Sequence, residues 1–163
     1  MPNRITLTPL CESLGMKVEG LLVSQPIDDT SYRKLRDALV QHSVLLFRDQ
    51  DISPKQLVAF SLLFGPIERH ILQEYAHADE PDVFVVSNVV ENGRQIGTHG
   101  GGRDFHSDMS YQPIPSLGSL FYCVECPAEG GQTEFASMFA AYNALSDDTR
   151  DWLTDQHGVH DYA

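Results

Sequence analysis

The chain has 163 residues, 42% hydrophobic and 21% charged, an ordinary globular composition that argues against disorder. That length suits one domain, residues 1–163, burying roughly 70% of its unfolded surface. A net charge of -12, from 23 acidic against 11 basic residues, opposes a phosphate backbone and argues against nucleic acid as a partner.

No apolar run approaches the roughly 20 residues of a membrane helix, so membrane association is not expected. The start, Met1-Pro2-Asn3-Arg4, is followed by no apolar signal core, and cytoplasmic residence is the default. Residues 5–8, closed by Pro9, and residues 16–20 read as short strands. Asp28-Asp29-Thr30 offers an N-cap for a helix over about residues 31–42, in which Leu35, Ala38 and Leu39 form one apolar stripe. Val44-Leu45-Leu46-Phe47 is a continuous apolar run bounded by polar residues, the pattern of a fully buried strand. Ser53 before Pro54 caps a second helix that ends near Gly65 and Pro66.

From residue 83 the texture becomes β-like. Residues 83–87 read as a strand, and Asn92-Gly93 accepts the positive φ angles of a tight hairpin. Residues 97–103, with three consecutive glycines, read as a mobile loop, since no Gly-Lys-Ser/Thr follows to make a phosphate loop. Pro113 and Pro115 interrupt pairing, residues 117–126 resume it as a strand, Gly130-Gly131 turns the chain, and residues 132–136 start another strand. A helix over residues 137–145 precedes one capped by Ser146 with Asp147 and Asp148 in its first turn, and residues 158–162 open a strand without a successor.

Cys11, Cys123 and Cys126 are too few for a disulfide framework and fit a reducing compartment. Cys123 and Cys126 have Cys-x-x-Cys spacing, but within a strand that spacing puts the thiols on opposite faces, so they read as structural. His42 on a helix face, and His77 and His99 in loops, read as solvated or packed.

The chemistry concentrates in His106-Ser107-Asp108. In an extended segment, side chains two apart share a face, so an imidazole nitrogen and a carboxylate oxygen can converge on one cation. Taken alone the triplet reads first as a hydrogen-bonded pair on a strand; joined by a second histidine it would make a facial iron site, whose remaining positions stay free for a cosubstrate and dioxygen.

Phe47-Arg48-Asp49-Gln50, Phe64-Gly65-Pro66, His106-Ser107-Asp108, Gly130-Gly131-Gln132-Thr133-Glu134-Phe135 and Ala140-Ala141-Tyr142-Asn143-Ala144-Leu145 occur in one order along nearly the whole chain. In that order and approximate spacing the chain resembles the taurine and 2,4-dichlorophenoxyacetate dioxygenase family. The resemblance implies an α+β fold, a double-stranded β-helix (jelly roll) with flanking helices, that holds iron(II) and uses 2-oxoglutarate and dioxygen as cosubstrates. The implied reaction hydroxylates a small anionic organic substrate, of the sulfonate, sulfate ester or aryloxy acid type, and releases succinate and carbon dioxide.

Carried over by motif, His106 and Asp108 match two iron ligands, and Thr133 matches a threonine whose hydroxyl binds a 2-oxoglutarate carboxylate. His70, by its distance after Phe64-Gly65, matches a histidine that holds the substrate's anionic group, although Ile71-Leu72-Gln73-Glu74-Tyr75 departs from the family pattern. The family's distal iron-binding histidine and its 2-oxoglutarate arginine belong to the second half of the jelly roll and have no match here. His157 and His160 fall in a stretch whose family counterpart does not touch the metal.

The sequence therefore reads as the amino-terminal portion of a longer enzyme, incomplete as a jelly roll, and a homo-oligomer stays open for the full-length form. The competing readings are an inactive truncated or partner-complemented non-enzymatic relative, and a zinc hydrolase. The last lacks any His-Glu-x-x-His motif.

Overall fold

The structure, a computed structural model, describes residues 4–100, 102 and 104–161. Strand β1 (Thr6–Pro9) pairs antiparallel with β2 (Met16–Glu19), and β2 pairs in parallel with β3 (Leu45–Phe47). Parallel neighbours require a crossover, and helix α1 (Asp29–His42) supplies it. Its start is fixed by Asp28, whose carboxylate accepts from the Ser31 amide at 2.9 Å and the Ser31 hydroxyl at 2.8 Å. Its end is fixed by Ser43 at φ 63°, which donates to the Leu39 carbonyl. The buried face carries Ser31, Leu35 and Ala38. β3 is only half-buried, which corrects the expectation of full burial; among the described residues one of its edges pairs with β2 and no strand is paired to the other.

Helix α2 (Pro54–Ser61) begins with a reciprocal cap, in which Ser53 Oγ accepts from the Gln56 amide and Gln56 Oε1 accepts from the Ser53 amide. Phe60 on this helix meets Phe47 and Phe64 edge-on, with ring centroids 5.6 and 5.5 Å apart. These rings close a core of Ile5, Val18, Leu21, Val23, Leu35 and Ile52. Gln50 stitches its rim: the side-chain oxygen accepts from the Val23 amide at 2.9 Å, and the amide nitrogen donates to the Leu21 and Arg48 carbonyls.

Beyond residue 66 regular structure thins. The Asn92-Gly93 turn forms as the dipeptide predicts, with φ of 50° and 76°, but the hairpin is short, β4 (Val90–Glu91) against β5 (Arg94–Gln95). The strand expected over 83–87 is reduced to two isolated bridges, Ala76 to Phe84 and Val86 to Thr98. Gly97 immediately precedes the second of them, at a place where a Cβ would lie 2.8 Å from both the Ser87 nitrogen and the Val85 oxygen. It is required for close approach, which corrects its reading as part of a mobile loop. The expected loop's Gly101 and Arg103 lie outside the described residues.

The strands expected over 117–126 and 132–136 do not form. Among the described residues, 113–136 make no backbone–backbone hydrogen bond, and a strand is defined by a partner that this segment does not find. Nor is there a strand over 158–161, and Tyr162 lies outside the described residues. Helices α3 (Met138–Asn143) and α4 (Asp147–Leu153) do form, capped by Ser137 and Ser146, but neither buries a residue. Phe105, Phe121, Phe135, Phe139 and Trp152 are exposed. Among the described residues no helix is long and apolar enough to cross a membrane.

Two substitutions test this core. Leu35→Ala, at a fully buried site, is expected to cost about 2–5 kcal/mol in denaturant unfolding. Gln50→Ala, which strands the Val23 amide and the Leu21 carbonyl, is expected to cost about 1–3 kcal/mol by the same measurement.

Candidate metal centre

His106 and Asp108 converge, but not on a strand as expected. Residues 105–107 carry no regular structure, and a turn opens at Asp108, with Met109 at φ 55° and the Gln112 amide donating to the Met109 carbonyl at 3.0 Å. A positive φ is uncommon for a residue with a Cβ, so this turn is locally strained. Just before this turn, His106 Nε2 lies 3.2 Å from Asp108 Oδ1. Both side chains are exposed.

Each group is held from its far side. His106 Nδ1 is 2.8 Å from the Asp104 carbonyl oxygen. A carbonyl only accepts, so Nδ1 carries the hydrogen and the neutral ring presents its lone pair at Nε2. Asp108 Oδ2 accepts from the Ser119 hydroxyl at 2.6 Å. The free atoms that face each other, Nε2 and Oδ1, are therefore both electron-pair donors.

Two donors so disposed need something positive between them. Adjacent ligands of an octahedral cation, with bonds of about 2.0–2.2 Å, stand roughly 3 Å apart, and the observed separation fits. A backbone carbonyl holding the distal imidazole N–H is also the usual orienting device for a metal-bound histidine. The donor set, one imidazole and one carboxylate, suits a divalent transition metal such as iron(II). No third His, Cys, Asp or Glu joins the pair among the described residues. A proton is the other way to relieve the pair. The hydrogen bond to the Asp104 carbonyl raises the His106 pKa above its ordinary value; burial opposes it, and the charge and hydrogen bond of the Asp108 carboxylate add to the rise.

The other expected site residues lie apart from this pair. No hydrogen bond or ion pair among the described residues links Thr133 or His70 to it. Thr133 lies on the exposed stretch that forms no strand. His70 stacks on Phe84 at a centroid distance of 3.9 Å, and its Nδ1 accepts from the Leu72 amide at 3.1 Å. His160 Nδ1 is 3.0 Å from Ser110 Oγ, beside the turn that follows Asp108, and His157 is exposed. Cys123 and Cys126 are free and exposed rather than packed, because the strand meant to bury one of them is absent. Sequence reasoning missed the Asp104 carbonyl and Ser119. The first is invisible to side-chain motifs. Ser119 lies eleven residues downstream of Asp108, outside any local periodicity.

Along most of its length the chain is similar to known proteins. Residues 6–163 match the family model described as taurine catabolism dioxygenase TauD, TfdA family. A pentalenolactone F synthase of Streptomyces avermitilis is 36% identical over 152 residues, which cover 91% of this chain and 50% of that protein. An (S)-phenoxypropionate/alpha-ketoglutarate-dioxygenase of Delftia acidovorans is 32% identical over 172 residues, covering 98% of this chain and 56% of that protein. The crystal structure of AAD-2 in complex with Mn(II) and N-oxalylglycine aligns at a TM-score of 0.65 and 28% identity, covering 93% of this chain and 50% of that one. The chain thus spans about half the length of the curated relatives it matches.

In the metal-free protein His106 is expected to titrate above the ordinary histidine value of about 6.5, and so to stay protonated to higher pH. The ring Cε1–H resonance followed through a pH series measures this. A midpoint below that value would contradict the arrangement with Asp104 and Asp108.

Proposed function

Because the chain belongs to the taurine catabolism dioxygenase TauD, TfdA family, we propose that it is the amino-terminal part of an iron(II)- and 2-oxoglutarate-dependent dioxygenase that hydroxylates a small anionic organic molecule. The observation that carries this reading is the His106–Asp108 pair, 3.2 Å apart with both free atoms donating electron pairs. In this reading residues 1–163 belong to one jelly-roll domain, and the third iron ligand and the arginine that pairs with 2-oxoglutarate come from polypeptide outside them. Two facts support that division. No third ligating group stands beside the pair among the described residues, and the relatives are about twice the matched length.

The bound iron supplies activation of dioxygen, coupled to decarboxylation of 2-oxoglutarate to succinate and carbon dioxide and to hydroxylation of the substrate. The chain's own residues have simpler tasks. His106 Nε2 and Asp108 Oδ1 hold the metal, with the imidazole kept in the binding tautomer by the Asp104 carbonyl. The Thr133 hydroxyl donates to a 2-oxoglutarate carboxylate. His70, whose Nδ1 is occupied by the Leu72 amide, carries its hydrogen on Nε2 when neutral and offers it to the anionic group of the substrate. Stacking on Phe84 keeps that donor oriented. A substrate of the sulfonate, sulfate ester or aryloxy acid type fits such a donor.

The test is the absorption band that iron(II) and 2-oxoglutarate produce together under anaerobic conditions, read in the full-length protein. His106→Ala and Asp108→Ala are each expected to abolish it along with succinate formation. Thr133→Val is expected to raise the 2-oxoglutarate concentration needed by at least about tenfold, the value of one hydrogen bond to a charged group. The 163-residue form is expected to release little or no succinate. Robust turnover by that form, or full activity after Asp108→Ala, would overturn the reading.

A further inference from the structure

We propose that Ser119 is a positioning residue for the Asp108 carboxylate, selecting which of its two oxygens faces the metal. The inference rests on the iron-site reading above and deepens it.

A carboxylate offers two equivalent oxygens and can turn about its last bond, binding a cation through either or both. At Asp108 the backbone does little to choose between them. The residue is exposed, it opens a turn, and its successor has a positive φ. The choice is made by Ser119, whose hydroxyl donates to Oδ2 at 2.6 Å, the length of a charge-assisted bond. With Oδ2 so engaged, Oδ1 is the oxygen left beside His106 Nε2. The two donors of the pair are thus oriented by matching devices, a backbone carbonyl behind the imidazole and a hydroxyl behind the carboxylate.

Ser119 can impose an orientation because it is itself anchored. Three residues before it, the Ser116 hydroxyl donates to Glu68 Oε2 at 2.9 Å. Three residues after it, the Tyr122 hydroxyl donates to the Gln50 carbonyl at 3.1 Å. The intervening stretch has no strand partner, so these two side-chain bonds fix it in place of a ladder. Gln50 in turn is bonded to residues 21–23 at the rim of the core. The orientation of one metal-binding oxygen is therefore referred, through Ser119 and Tyr122, to the folded part of the chain.

Cobalt(II) titration of the full-length protein tests this, because the visible bands of bound cobalt report ligand geometry independently of turnover. Ser119→Ala is expected to weaken cobalt(II) binding about 10- to 100-fold and to change the band pattern, with the unfolding midpoint unmoved. Ser119→Thr, which keeps the hydroxyl, is expected to restore most of the affinity and the wild-type spectrum. Asp108→Ala separates the two levels of the argument. If Asp108→Ala loses the cobalt bands while Ser119→Ala binds with wild-type affinity and spectrum, the positioning role is refuted and the iron site stands. If Asp108→Ala changes nothing, the iron-site reading fails and this inference with it. A Ser119→Thr protein that remains as weak as Ser119→Ala would also overturn the hydroxyl's role.

Discussion

The arrangement depends most on Gln50. Its side chain closes the backbone of residues 21–23 and of its own loop, and its carbonyl takes the Tyr122 hydroxyl, 72 residues away in sequence. An amide has both a donor and an acceptor end, which lets one side chain pair with an N–H and a carbonyl of the same short segment. Leucine or glutamate at this position would match the volume or the acceptor but not both polarities. The consequence reaches well past the core rim. Tyr122 holds the segment that carries Ser119, and Ser119 holds Asp108.

Helices are legible throughout the chain, whereas for strands legibility divides at about residue 66, for a physical reason. Helices α1 and α2 were readable to within a few residues because their signals are local: Asp28 and Ser53 cap their own next turn, and Leu35 and Ala38 recur at helical spacing. The same holds for α3 and α4, whose caps Ser137 and Ser146 act within three residues. Strands are different. Residues 117–126 have an apolar, β-prone composition, but composition only qualifies a segment for pairing, and the partner must come from elsewhere in the fold. The Asn92-Gly93 turn formed because it is the one β signal that is itself local.

The site shows the same division at smaller scale. His106 and Asp108 were found by a spacing of two, although the extended backbone assumed for them is in fact a loop entering a strained turn. The convergence survives because a turn at the second residue can also bring two neighbouring side chains together. Ser119 was not found, since a hydroxyl that meets a carboxylate across eleven residues leaves no periodic trace. Thr133 and His70 entered only through family resemblance, and neither has a contact with the pair that local sequence could have encoded.

In the proposed reading, burial and metal binding would be coupled around the pair. Phe105 adjoins His106, while Leu117 and Phe121 lie two residues to either side of Ser119, and all three are exposed. Burying side chains of this size favours a covering element by roughly 1.5–3 kcal/mol each, an upper bound given partial burial in the unfolded chain. An element that covered them together with the pair would also strip water from His106, Asp108 and Ser119. In water a hydrogen bond from Ser119 competes with solvent and the pair attracts a cation weakly, whereas in a drier site both interactions strengthen several-fold. Removing water without adding either a metal or a proton would leave two electron-pair donors facing each other at 3.2 Å, which is unfavourable. If the pair is the metal site proposed above, closure over the apolar side chains and occupation of the pair by metal would therefore favour one another.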